Sequence, residues 1–171
     1  MPTPPPDNLD RSLTIADTDA PDQPHLSVAG DTYTILLTGQ NTGGRYCLID
    51  MYVPPGGGPP PHRHNFEESF TILEGEIEAI FRGKAITVRA GQSINIPANA
   101  PHQFQNKASL PARMLCICSP AGMDEFFAAL GVPVATRTAP PPKLDPITQE
   151  AMRAKAAKLA AEYQTEFVEK A

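Results

Sequence analysis

Apolar and polar positions alternate in short runs over the first two thirds of the chain and take up a helical period afterwards. Tyr33-Thr34-Ile35-Leu36-Leu37 is β-branched and apolar, Gly39 to Gly44 reads as a turn, and Arg45 to Val53 reads as a second strand. Pro54 to Pro61 is Gly and Pro throughout and excludes regular structure. Phe66 to Leu73 predicts a strand, Glu74-Gly75 a turn, and Glu76 to Phe81 the alternating partner of a hairpin. After a turn at Arg82-Gly83-Lys84, further short strands are predicted at Ala85 to Arg89, Ser93 to Pro97, His102 to Gln105 and Arg113 to Cys118. Short strands with Gly-rich turns and no helix between them predict an all-β sandwich or barrel over residues 25–120.

Beyond Cys118 the period is that of a helix. Met123 to Leu130 puts Phe126, Phe127 and Leu130 on one face, and Gly131 followed by Pro133 ends it. Residues 132–144 form a Pro-rich connector. Asp145-Pro146 is an N-cap and first-turn pair, and the helix it opens is predicted to run to about Phe167. Ile147, Ala151, Met152, Leu159, Tyr163 and Phe167 make its apolar stripe. Residues 121–171 are therefore expected to be a C-terminal helical extension. Residues 1–24 are rich in Pro, Asp and Thr and have little to bury. This N-terminal arm is expected to order by packing on something, a neighbouring subunit being the natural candidate.

Composition narrows the class. A chain of 171 residues suits one domain, and 41% hydrophobic residues suffice for a core. A net charge of −5 offers no basic patch for phosphates, which argues against nucleic acid as a partner. No apolar run reaches membrane length, and the N-terminus shows no apolar signal region, so a cytoplasmic location is expected. Cys47, Cys116 and Cys118 include no CxxC pair; Cys116 and Cys118 share one face of a strand. All three read as buried small hydrophobes in a reducing compartment.

The chemistry is concentrated between Gly56 and Asn106, where three of the chain's four histidines lie. Residues two apart on a strand face the same way, about 6.5 Å apart, so His62 and His64 can aim at one ion. Glu68 has the same parity but would lie about 13 Å beyond His64 on a straight strand. It can ligate only if the chain bends, and Asn65 suits a bend. His102 is expected from another strand, across the barrel. Together His62, His64, Glu68 and His102 predict a site for one metal ion. Phe70, Ile72, Ile94, Ile96 and Phe104 share inward parity with the ligands and predict an apolar substrate pocket. Arg63 alternates outward, and few other basic residues lie near, so a phosphate substrate is not expected.

Gly56-x5-His62-x-His64-x3-Glu68-x6-Gly75 resembles the first signature motif of the cupin family. Gly91-x5-Pro97-x-Asn99-x2-His102-x3-Asn106 resembles the second, with Asn99 where the family usually has Gly. Asn tolerates the left-handed turn that position needs. The resemblance implies a double-stranded β-helix barrel, related to the jelly roll, with a metal centre of three histidines and one glutamate and a homodimer as the common assembly. The ending, SPAGMDEFFAALGVP and a last helix, resembles small single-domain cupins grouped with bacterial quercetin 2,3-dioxygenases. In that branch Glu68 would also be the catalytic base. One divalent transition metal is implied, and Fe, Mn, Ni, Co and Zn all accept these ligands. The resulting expectation is a metal-dependent dioxygenase acting on a small oxygen-chelating aromatic or enol substrate. A metal-dependent lyase, isomerase or hydrolase, or a non-catalytic metal or ligand binding module, are the alternatives on the same barrel.

Overall fold

In the computed structural model residues 3–169 are described. The chain opens with a hairpin, β1 (His25–Val28) and β2 (Asp31–Leu37), whose turn places Ala29 and Gly30 at positive φ. The expected turn at residues 39–44 contains a one-turn helix, α1 (Gly39–Thr42), closed by a capping box in which Thr38 and Asn41 exchange hydrogen bonds. Ten strands and two helices follow among the described residues, beginning with β3 (Cys47–Val53) and β4 (His62–His64). Next come β5 (Glu67–Glu74), β6 (Glu76–Phe81), β7 (Lys84–Arg89) and β8 (Ser93–Ile96). Then come β9 (His102–Gln105), β10 (Ala112–Ser119), α2 (Met123–Leu130), β11 (Val132–Val134), α3 (Pro146–Glu162) and β12 (Thr165–Phe167).

The strands form two antiparallel sheets. One runs β11-β1-β2-β3-β10-β5-β8 and the other β12-β4-β9-β6-β7. Their inner faces close on one core, where Phe70 of the first sheet meets Phe104 of the second edge to face at 5.3 Å. Strand alternation is clean in β10, where Ala112, Met114, Cys116 and Cys118 are buried and the residues between them are less so.

The C-terminal region departs from a purely helical extension. Val132–Val134 pairs with β1, and Thr165–Phe167 pairs with β4, so the segment adds an edge strand to each sheet. The last helix ends at Glu162, not near Phe167, and Gln164 turns the chain at positive φ. Its apolar stripe is only half used. Ile147 is exposed, while Met152, Leu159 and Tyr163 are half-buried and Tyr163 packs on Phe126 of α2. The arm at residues 3–24 has no regular element and is tied by Arg11 to the carbonyl of Asn41 and by Asp19 to Arg137.

Candidate metal centre

Two sheets bring the four predicted ligands together. β4 supplies His62 and His64, and β9 supplies His102. His102 is not across the barrel: it is the direct register partner of His62 on the neighbouring strand, with ring centroids 4.3 Å apart. Glu68 is the residue that comes from the facing sheet. The chain leaves β4 in one sheet and enters β5 in the other within Asn65-Phe66, which supplies the bend the spacing demanded. Asn65 is held there by Gln164, through its own N–H and its side-chain amide.

The loops leading to the histidines are pinned by backbone contacts. Gly56 N–H donates to the Asn106 carbonyl at 2.7 Å and Asn106 N–H to the Gly57 carbonyl at 3.0 Å. At Gly58, φ is +126° and a Cβ would collide with the Phe104 carbonyl, so the tight approach to β9 needs glycine. Asn99 takes the left-handed conformation at φ +67°, and its N–H donates to the His64 carbonyl. Asn106 is fully buried; its amide donates to the Val53 and Leu110 carbonyls, which makes it a structural pin.

Each ligand histidine is oriented by its own backbone surroundings. Nδ1 of His62, His64 and His102 lies 2.9–3.0 Å from the carbonyls of Pro60, Phe66 and Ala100 respectively. A carbonyl only accepts, so the network assigns the proton to Nδ1 in all three rings and leaves a lone pair on Nε2. Nε2 of His64 and of His102 each lie 3.1 Å from Glu68 Oε2. The four residues each offer a ligand atom, and these atoms all lie within 4.8 Å of one another. Neutral imidazole lone pairs and a carboxylate are all acceptors, so only a cation reconciles them: protons in acid, or a metal ion. The donor set fits a divalent transition metal, and the carbonyl partners are the orienting groups such ligands require.

The electrostatics agree. Burial alone would raise the Glu68 carboxyl, but once the rings are protonated, hydrogen bonds from His102 and His64 and the charge of His64 and His62 outweigh it and hold it below the usual carboxylate range. Burial, with the charge of His102, pushes His62 down to about 4. His102 is raised: Glu68 outweighs the lowering effect of its burial.

Of the five residues expected to line a pocket, Phe70, Ile72, Ile96 and Phe104 are buried in the core and Ile94 is half-buried against it. A separate cavity of about 800 Å³ is lined by Val28, Leu130, Met152, Phe167 and Pro60, whose carbonyl meets His62 Nδ1, and by none of the four candidate ligands. Arg63 does point outward, to Glu166. Arg113 pairs with the fully buried Asp50 at 2.6 Å. Sequence reasoning missed two neighbours of the ligands. Phe66 stacks on His64, with ring centroids 3.8 Å apart. The Cys116 and Cys118 thiols reach Glu68 Oε1, the oxygen turned away from the histidines. Burial, first of all, pushes the Cys116 thiol up to about 12.

Residues 49–118 match the family described as the cupin domain. The barrel has the double-stranded β-helix fold of cupins. The chain is similar to a quercetin 2,3-dioxygenase of Bacillus subtilis (strain 168), with 26% identity over 109 residues, 63% of this chain and 32% of that protein. It is also similar to polyketide synthase CurC of Streptomyces cyaneus, with 33% identity over 101 residues, 57% of this chain and 64% of that one. The chain thus spans less than two thirds of the length of these curated relatives. A solved RmlC-like cupin from Shewanella frigidimarina NCIMB 400 superposes with a TM-score of 0.54 at 16% identity, over 69% of this chain and 96% of that one. At that identity the likeness concerns the fold.

Proposed function

We propose that this cupin is a metal-dependent dioxygenase acting on a small oxygen-chelating aromatic or enol substrate. His62, His64, Glu68 and His102 would hold one divalent transition metal. One observation carries the reading: three Nε2 lone pairs and a carboxylate converge, with every Nδ1 already committed to a carbonyl. The similarity to a quercetin 2,3-dioxygenase supports the oxygenase class.

When bound, such an ion supplies Lewis acidity toward an oxygen chelate and open positions for substrate and dioxygen. The chain's own residues do the rest. Glu68 is the base of this reading. Its carboxylate stays ionised at neutral pH, whereas each imidazole has one nitrogen protonated and the other aimed at the centre. A carboxylate held this low is a weak base, so the acidity of the substrate hydroxyl must supply the driving force. Phe70, Ile72, Ile94, Ile96 and Phe104 would exclude water and favour a flat apolar substrate. The guanidinium group of Arg63, between the two histidines of β4, is committed to Glu166, which disfavours a phosphate substrate. The same reading makes the protein a cytoplasmic homodimer.

The test is an oxygen-electrode screen of metal-loaded protein against flavonols and β-diketones. Oxygen uptake that is lost in Glu68→Gln is the expected result. Turnover of substrate without oxygen uptake would make it a lyase, isomerase or hydrolase. Metal binding without any turnover would make it a binding module.

A further inference from the structure

A second set of donor atoms lies beside the histidines and is not used by the oxygenase reading. In the larger sheet, Cys47 pairs with Cys118, Cys118 with Glu68, and Glu68 with Ile96, so two thiols and the carboxylate form one cross-strand row. Cys116 lies two residues back along β10, opposite Phe70, on the same inward face. All three thiols are fully buried and unbridged. Cys116 Sγ lies 3.6 Å from Cys118 Sγ, and the two stand 3.5 and 3.8 Å from Glu68 Oε1. Glu68 is therefore two-sided: Oε2 faces His64 and His102, and Oε1 faces the thiols.

Two thiolates on one tetrahedral ion, with metal–sulfur bonds of about 2.3 Å, stand about 3.8 Å apart. The observed sulfur separation has that size, where a disulfide would need about 2.05 Å. The Glu68 oxygen and both sulfurs lie within 4.8 Å of one another, close enough to share an ion. Packing as small hydrophobes accounts for the burial of these thiols; it does not account for aiming two of them at a carboxylate oxygen.

We propose that Cys116, Cys118 and Glu68 Oε1, with Cys47 next in the row, form a second site for a thiophilic ion of the Zn²⁺, Cd²⁺ or Cu⁺ class. Glu68 bridges it to the histidine site. On binding, two S–H bonds break as two metal–sulfur bonds form, and both protons leave to the buffer. Soft sulfur ligands select a different ion from the imidazole set, so the two sites need not hold the same metal.

The experiment titrates the full chain, reduced and under argon, with Cd²⁺. Absorption from thiolate-to-cadmium charge transfer, cadmium per chain after desalting, and the cadmium X-ray absorption spectrum are read together. The wild type is expected to show the charge-transfer band and sulfur neighbours at cadmium. Cys116→Ala/Cys118→Ala should abolish both and keep the histidine-bound ion. His62→Ala should lose that ion and keep the band, so this site and the histidine site can fail separately. A band that survives the double cysteine variant would overturn the proposal. Should that variant not fold, cadmium in the wild type with only nitrogen and oxygen neighbours would overturn it equally.

Discussion

His62 and His102 are register partners on β4 and β9, and each donates its Nδ1 proton to the carbonyl two residues before it, Pro60 and Ala100. The aim of both rings is therefore fixed by backbone in the approach loops. Changes to those loops should reach the candidate metal site without touching a candidate ligand.

Gly58→Ala is such a change. Its φ of +126° and the Phe104 carbonyl beside it exclude a Cβ without movement of the loop that carries Pro60. A loss of about 1–3 kcal/mol is expected from the backbone strain. Calorimetry should show this as a melting point several degrees lower, and metal retention on dialysis should fall with it. Gly83→Ala, also at positive φ but with open space around it, should lower stability and leave metal content unchanged.

Asp50 is fully buried and depends on Arg113 for its charge balance. Arg113→Met leaves a buried carboxylate unpaired, and a loss of about 3 kcal/mol is expected, the low end for a buried pair because Arg113 is partly exposed. Asp50→Leu combined with Arg113→Met should recover most of that loss, since two apolar residues carry no desolvation cost. Urea denaturation of the two variants checks this. A double variant as unstable as Arg113→Met would contradict it.

Burial pushes the Asp31 carboxyl up to about 7, against the lowering effect of hydrogen bonds from Tyr33 and the Gly58 N–H. The unfolded chain has this group near 3.9. Between those values the folded state holds a proton that the unfolded state has lost. The stability Asp31 contributes is thus full below about pH 4 and lost as pH rises to about 7, at about 1.4 kcal/mol per unit. Asp31→Asn removes this slope. Urea midpoints at pH 5 and pH 8 should show the variant gaining on the wild type at the higher pH; the opposite trend would contradict the assignment.

The clustering of the candidate ligands and the bend before Glu68 were legible because they are local events. His62-x-His64 is set by strand parity, and the crossing at Asn65 follows from the distance to Glu68. Asn99 reads correctly as a residue that tolerates positive φ. What was not legible depends on long-range register. That His102 neighbours His62, and that Cys118 lies opposite Glu68, are facts of strand pairing with no local signature. β11 and β12 are three residues each, one centred on Pro133 and the other directly behind a helix, and only their partner strands make them strands. Ile147 stays exposed because α3 is held mainly through its C-terminal turns, where Leu159, Ala160 and Tyr163 pack.

The central claim is that His62, His64, Glu68 and His102 form one metal site. Elemental analysis of the purified wild type and of His102→Ala, under identical dialysis, tests it most directly. One divalent transition metal per chain in the wild type, and loss of most of it in the variant with the fold retained by circular dichroism, is the predicted result. Equal metal content in the two proteins, or none in the wild type after loading with each candidate ion, would contradict it.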